Sequence, residues 1–243
     1  MHANYLEALG RITALGEGGQ AERAGGWLLL DAGGRGFEYF NLAVALPGAS
    51  ARVEDARDWF AARGIPFRFI LRDGSDADLV AQALSLGFRI EDSEPAMLLA
   101  GLDGRGHIPS GFAVRRVATH EDALAYATVE PASSGDLKVR ELIALRSFGL
   151  AGCTMLVGSL AGVDVARAMA VASGTMTGVY NVFVRDEHRR YGLGSAITLA
   201  AIEAGRGTGA TAACLSATPL GRSVYQRMGF VTRYRYLSLW AGA

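Results

Sequence analysis

Lysine is almost missing from this chain. Of its 24 basic residues only Lys138 is a lysine, and the rest are arginine. That bias reflects composition rather than chemistry. An excess of either charge is missing too: 24 basic residues face 24 acidic ones, for a formal net charge of zero. No basic face stands out over long range. Nucleic acid is therefore disfavoured as the main partner, because phosphate backbones are bound by surplus Lys and Arg. Cysteine is limited to Cys153 and Cys214, both in apolar, strand-like settings. Two such thiols make neither a disulfide framework nor a metal-ligand spacing, and they suit a reducing compartment. No apolar run approaches the ~20 residues that span a bilayer. The amphipathic N-terminus, MHANYLEALGRITALGEGG, is too polar for a signal peptide. The expectation is a soluble cytoplasmic protein with no metal and no membrane contact. What is plentiful is apolar material: half of the 243 residues are hydrophobic, enough for one large domain or two small ones.

One stretch organises the rest, VYNVFVRDEHRRYGLGSAITLAAIEAG, from Val179 to Gly205. Val179 to Val184 is apolar, β-branched and aromatic, which suits a buried strand. Arg185 to His188 is a charged turn. Leu193, Ile197, Ala200, Ala201 and Ala204 then recur at helical spacing. A strand–turn–helix junction aims backbone N–H groups and the positive end of the helix dipole at one spot. Arg189 and Arg190 add full charge there, and no Asp or Glu occupies the first helical turn to cancel it. Gly192 and Gly194 carry no Cβ, so a ligand can approach the backbone closely. The physics specifies an anion site, for a phosphate or pyrophosphate.

Two familiar phosphate motifs do not fit. A P-loop needs Gly-Lys-Ser/Thr at the turn, and the dinucleotide fingerprint needs a glycine where Ile197 stands. What remains is R-x-x-G-x-G, as Arg189, Gly192 and Gly194, following a strand that ends at Val184. Downstream, Ser223-Val224-Tyr225-Gln226-Arg227-Met228-Gly229-Phe230 places a Tyr four residues before a Gly-Phe pair. In these two motifs, in this order, the chain resembles the GNAT superfamily of acyl-CoA-dependent N-acetyltransferases over residues 111 to 243. The resemblance implies an α+β fold: a central mixed, mostly antiparallel sheet flanked by helices, with two central parallel strands splayed to admit the cofactor. It implies acetyl-CoA as cosubstrate, a primary amine as acceptor, and allows a homodimer, a frequent state in the family.

Along the chain, residues 3 to 15 read as a helix and Gly16 to Gly26 as a loop. Strands follow at Trp27–Asp31 and Phe37–Leu46, a helix at Val53–Arg63 and a strand at Pro66–Arg72. Ser75 and Asp78 form a capping-box signature for a helix that ends at Gly87, before a strand at Phe88–Leu99. GLDGRGHIPSG, from Gly101 to Gly111, has linker composition and marks a boundary between residues 1–105 and 111–243. Beyond it come a strand at Phe112–Val117 and a helix over His120–Val129 with a Thr119/Asp122 capping box. Pro131 to Gly135 breaks that helix, and another runs over Leu137–Phe148. Three strands, the junction helix, strand Ala212–Ser216, helix Pro219–Met228 and strand Phe230–Trp240 complete the order. Ser85-Leu86-Gly87-Phe88 echoes Arg227-Met228-Gly229-Phe230, each between a helix and a long final strand. A tandem arrangement follows, with the first copy degenerate: Leu46-Pro47-Gly48-Ala49-Ser50 stands where the phosphate motif would be, and Ala83 where Tyr225 would be. An unrelated α/β domain is the alternative.

Acetyl transfer to an amine needs a deprotonated amine, a fixed thioester, a donor for the developing oxyanion and an acid for the leaving thiolate. By the resemblance, the backbone of Val182, Phe183 and Val184 holds the pantetheine arm like an added strand. Arg189, Arg190, Gly192, Leu193, Gly194 and Ser195 hold the pyrophosphate, although Asp186 and Glu187 could instead pair with the arginines locally. Tyr225 is the general acid. The base is not visible: no carboxylate lies between Met176 and Val184. Glu130, Glu141 and His120 qualify by residue type alone, beside a solvent relay or a low-pKa amine. The reading is direct attack in a ternary complex. Its rival from another class is a non-catalytic acyl-CoA-binding sensor or regulatory module. The acceptor is unnamed by the region that faces it, residues 130 to 148, which mixes both charges.

Overall fold

The computed structural model describes residues 1–13, 18–33, 38–131 and 137–241. Contacts divide the chain into two compact units, Leu9–Ala96 with Arg233–Ala243, and Met1–Ala8 with Met97–Thr232. A cut at the Gly101–Gly111 linker would therefore leave both chain ends in the wrong unit.

Helix α1 (His2–Thr13) is followed by β1 (Gln20–Ala24), β2 (Trp27–Asp31), β3 (Leu42–Ala45), α2 (Val53–Ala61), β4 (Arg68–Arg72), α3 (Ala77–Ser85) and β5 (Phe88–Ala100). β1 falls where the composition suggested loop. Its residues, QAERA, are polar and almost wholly exposed, so no apolar alternation marks them. The Gly25–Gly26 turn, with both φ positive (54° and 84°), closes the β1–β2 hairpin at the Ala24–Trp27 pair. β3 starts later than expected. Glu38–Phe40 forms a 3-10 turn, and the Asn41 side chain accepts from Ala32 N–H (3.0 Å) and donates to the Pro66 carbonyl (2.9 Å). The expected start at Phe37 lies outside the described residues. The capping box at Ser75 does not form: α3 begins at Ala77, and the Asp76 carboxylate instead grips Arg72, accepting from its backbone N–H (2.7 Å) and guanidinium (2.9 and 2.6 Å). The core of this unit is aromatic: Phe60 stacks on Phe67 at 4.2 Å, and Phe69 meets Phe88 edge-on at 4.8 Å.

The later unit runs β6 (Phe112–Arg116), α4 (His120–Thr128), α5 (Leu137–Ser147), β7 (Cys153–Leu160), β8 (Val163–Ser173), β9 (Met176–Val184), α6 (Leu193–Arg206), β10 (Ala212–Ser216) and α7 (Pro219–Met228). The Thr119–Asp122 capping box is complete at α4. The break expected at Pro131 to Gly135 lies almost wholly outside the described residues. β6 to β9 pair antiparallel, and β10 lies parallel to β9. The end of β5 runs beside β10, continued by a parallel bridge between Gly101 and Ala212. α6 buries Leu193, Ile197, Ala201 and Ile202 against this sheet. Gly205 is needed for that approach, since a Cβ there would stand 2.4 Å from Thr177 on β9.

The last strand, β11 (Val231–Ala241), leaves α7 and completes the sheet of the other unit, pairing antiparallel with β4 from Tyr236–Arg72 to Trp240–Arg68. The two halves of the chain repeat one order of elements: β3–α2–β4–α3–β5, then β9–α6–β10–α7–β11. In each, the strands flanking the first helix of the run lie parallel in one sheet. Among the described residues no helix is long and apolar enough to cross a membrane.

Candidate active site

The site is built where β9 and β10 part. Their parallel ladder covers Met176–Ala212 to Gly178–Cys214 and goes no further, although β9 continues to Val184. A bulge reinforces the separation: Arg167 pairs Phe183 but Met169 pairs Tyr180, so Asn181 and Val182 both face Ala168. Asn181 takes the left-handed conformation (φ 52°), which Asn tolerates better than most residues. Past the bulge, Arg185 N–H donates to the Val165 carbonyl at 2.9 Å. Alternation then turns the amide of Phe183 towards β8 and those of Val182 and Val184 into the gap. The carboxyl ends of two diverging parallel strands are where open sheets hold ligands.

A cleft of about 850 Å³ opens there. Val182, Phe183, Val184, Arg189, Arg190, Gly192, Leu193, Gly194, Ser195 and Tyr225 all line it, whereas Glu130, Glu141 and His120, the carboxylates and imidazole weighed as bases, do not. The motif turn forms the end nearest α6. Gly192 is the N-cap with φ 80°, and Arg190 is also left-handed at 68°. No side chain caps the helix, and Ala196 is the first residue whose N–H returns to Gly192 (3.1 Å). The N–H groups of Leu193, Gly194 and Ser195 are thus left pointing outward. The Ser195 hydroxyl bonds back to the Gly192 carbonyl (2.8 Å). Arg189 is tied down locally, to Asp186 at 2.6 Å and to the Val184 carbonyl at 3.2 Å. Arg190 is exposed, with no ion pair among the described residues.

Tyr225, 8% exposed, forms the opposite wall from α7. Gly221, one turn earlier, makes room for it: a Cβ there would stand 2.8 Å from the ring. Burial pushes the phenol up to about 12, and a hydrogen bond with Thr198 pulls the other way. Thr198 itself donates to the Gly194 carbonyl at 2.8 Å, so the phenol and the start of α6 share one small network. Burial also raises the Cys214 thiol to about 11, only partly offset by the terminal amino group.

The cleft contains residues that sequence reasoning passed over. Thr218 caps α7 ahead of Pro219, a start signal that was legible. Arg105 and Gly106, taken as linker, reach the cleft because Arg105 N–H donates to the Met228 carbonyl at 3.0 Å. Nothing local to that glycine-rich stretch forecasts such a bond.

The divided parallel pair and the uncapped, acid-free helix start accord with the GNAT resemblance of the sequence. The chain matches, over residues 7–238, the family model described as "Probable histone acetyltransferase Rv0428c C-terminal", and it belongs to that family. It is similar in fold to a GCN5-related N-acetyltransferase from Kribbella flavida, at 23% identity and a TM-score of 0.72, over 100% of this chain and 95% of that one. It is also similar to a tandem GNAT protein from the clavulanic acid biosynthesis pathway, at 15% identity and 0.66, over 99% and 95%. A functionally unknown conserved protein from Staphylococcus epidermidis aligns at 16% identity and 0.66, over 93% and 95%. The curated proteins contain no match. Among the described residues no group of three or more His, Cys, Asp or Glu could hold a metal ion.

Proposed function

We infer that the cleft binds acetyl-CoA and that the protein transfers its acetyl group to a primary amine by direct attack. The observation that carries this is the conjunction of outward N–H groups at an acid-free helix start with free strand amides at a bulge, in one cavity. Both ends of the ligand find matching chemistry: anion donors for a pyrophosphate and an unpaired strand edge for an amide-bearing arm. Acetyl-CoA would supply an activated thioester. Leu193, Gly194, Ser195 and Arg190 bind its phosphates, with Arg189 held against the turn. Val182 and Val184 orient the arm and polarise the acyl carbonyl through their N–H groups, and the Phe183 ring covers it from the other side. Tyr225 holds the proton destined for the departing sulfur. Cys214, protonated at neutral pH, offers no nucleophile for a covalent route.

The earlier half is best read as scaffold. Its matching helix, α2, starts with Glu54 and Asp55 in the first turn, charges that repel a phosphate. The Tyr225 counterpart there is Ala83, wholly buried. A cytoplasmic location accords with Cys153 and Cys214 forming no disulfide with each other.

Calorimetric titration of acetyl-CoA into the wild type and Gly194→Trp tests the reading. Binding to the wild type alone is expected, because the indole would fill the phosphate end. No binding to the wild type removes the assignment. Amine-dependent release of CoA then separates an enzyme from a sensor, the rival favoured by the missing carboxylate on β9.

A further inference from the structure

On the sheet face away from α6 lies a cluster that the reading above does not use. Val182 and Val184 pack on the α6 core, so alternation places Phe183 on the other face, beside its strand partner Arg167. Arg167 is 9% exposed. Its guanidinium carbon lies 5.8 Å from the Phe183 ring centre and 5.1 Å from that of Tyr126 on α4. One of its nitrogens bonds Glu130. Arg140, on α5, approaches the same carboxylate at 3.9 Å, beyond hydrogen-bond reach. Arg185 adds a third guanidinium, donating to the Thr128 carbonyl at 3.4 Å.

This cluster is rich in donors and poor in acceptors. Among the described residues, all three side-chain nitrogens of Arg140 are buried without a hydrogen-bond partner, as are the Nε atoms of Arg167 and Arg185. Asn181 nears the Tyr126 hydroxyl without completing a bond of good geometry. Among the described residues two permanent cations, Arg140 and Arg167, share one carboxylate, with Arg185 beside them. Burying a guanidinium with its donors unmet is unfavourable, and Arg cannot shed its proton. Such a cost is characteristic of a site built for an oxyanion, since a planar fork matches a carboxylate in shape and charge. The cluster borders the cleft at Phe183, at the bulged end of β9 where an acceptor must meet the acyl group.

We propose that the acceptor is an amine bearing a carboxylate, an amino acid in the broad sense, held through that carboxylate by Arg140, beside Arg167 in its pair with Glu130. The inference rests on the acetyltransferase reading and names its substrate class. It disfavours a lysine-rich peptide, whose cations the three arginines repel.

The test uses the full chain and three acceptor pools: α-, β- and γ-amino acids, the matching amides, and a basic lysine peptide. Release of CoA is measured, with acetyl-CoA binding followed separately by calorimetry. The amino-acid pool should exceed the amides in kcat/KM by about ten- to a hundredfold, the range a charged hydrogen bond commands. Arg140→Met should collapse that ratio towards one, chiefly through KM, while acetyl-CoA affinity holds. Its melting temperature should stay level or rise, because a guanidinium kept for a ligand burdens the fold. Equal use of acids and amides, a preference for the peptide, or silence from the acid pool with acetyl-CoA bound would each overturn the proposal. So would a fall in melting temperature with the ratio intact, which would make Arg140 structural. Failure of acetyl-CoA to bind would instead remove the reading of the cleft, and this one with it.

Discussion

At the scale of single residues, the Tyr225 hydroxyl leans on Thr198, and Thr198 keeps its own bond to the Gly194 carbonyl when the phenol is removed. Tyr225→Phe should therefore leave the turn and acetyl-CoA affinity intact while lowering kcat by about a hundredfold, the lower range for loss of a positioned acid. Steady-state kinetics beside calorimetry would show it, and wild-type turnover in the variant would end the assignment. Titration of the same residue bears on stability. Burial raises Tyr225 from 10.0 and Tyr126 from 10.0, each to about 12, and Cys214 from 9.0 to about 11. Each group stays protonated in the fold over a range where it ionises in the open chain. Their contribution is fully present below about pH 9 and is lost as pH climbs through 9 to 12. Denaturant midpoints should fall across that window. A midpoint unchanged to pH 11 would show these groups to be solvated.

At the scale of elements, α6 combines a precise seat with an exposed start. Gly205→Ala would drive a methyl group into Thr177, with Cβ only 2.4 Å from it. A loss of about 1–3 kcal/mol is expected from such overpacking, read by denaturant unfolding. Because Gly205 lies at the far end of α6 from Gly192, the folded variant should retain its affinity for acetyl-CoA. This helix was also the most legible part of the chain. Its apolar spacing, the missing acid in its first turn and Arg189-x-x-Gly192-x-Gly194 are all local, and local physics governs a strand–turn–helix junction. β1 was not legible, because an exposed edge strand of polar residues carries no period. The Ser75 cap failed because α3 starts one residue late for it, and Asp76, which stands at the N-cap instead, gives its carboxylate to Arg72. Arg105 and the Arg140 cluster were hidden for another reason. Their meaning lies in partners far along the chain, Met228 for one and Arg167 for the other, and no window of neighbours contains both.

At the scale of the whole molecule, the earlier unit lacks a strand until β11 arrives. Ending the chain at Thr232 would remove the partner of Arg68 to Arg72 and bare the apolar edge Phe69, Ile70, Leu71. Such a protein should aggregate or lose amide protection in β4, as hydrogen exchange would report. Retained protection there would mean that β4 needs no partner. A fragment of residues 1–105 should fail likewise, whereas adding Arg233–Ala243 in trans should restore protection. Synthesis on the ribosome gives this arrangement a temporal side. The segment Leu9–Ala96 emerges before Arg233–Ala243, yet its sheet must wait for that later segment. The earlier unit is thus finished only once that segment is available, and a nascent chain that stalls upstream of it carries an open sheet edge that a chaperone must shield.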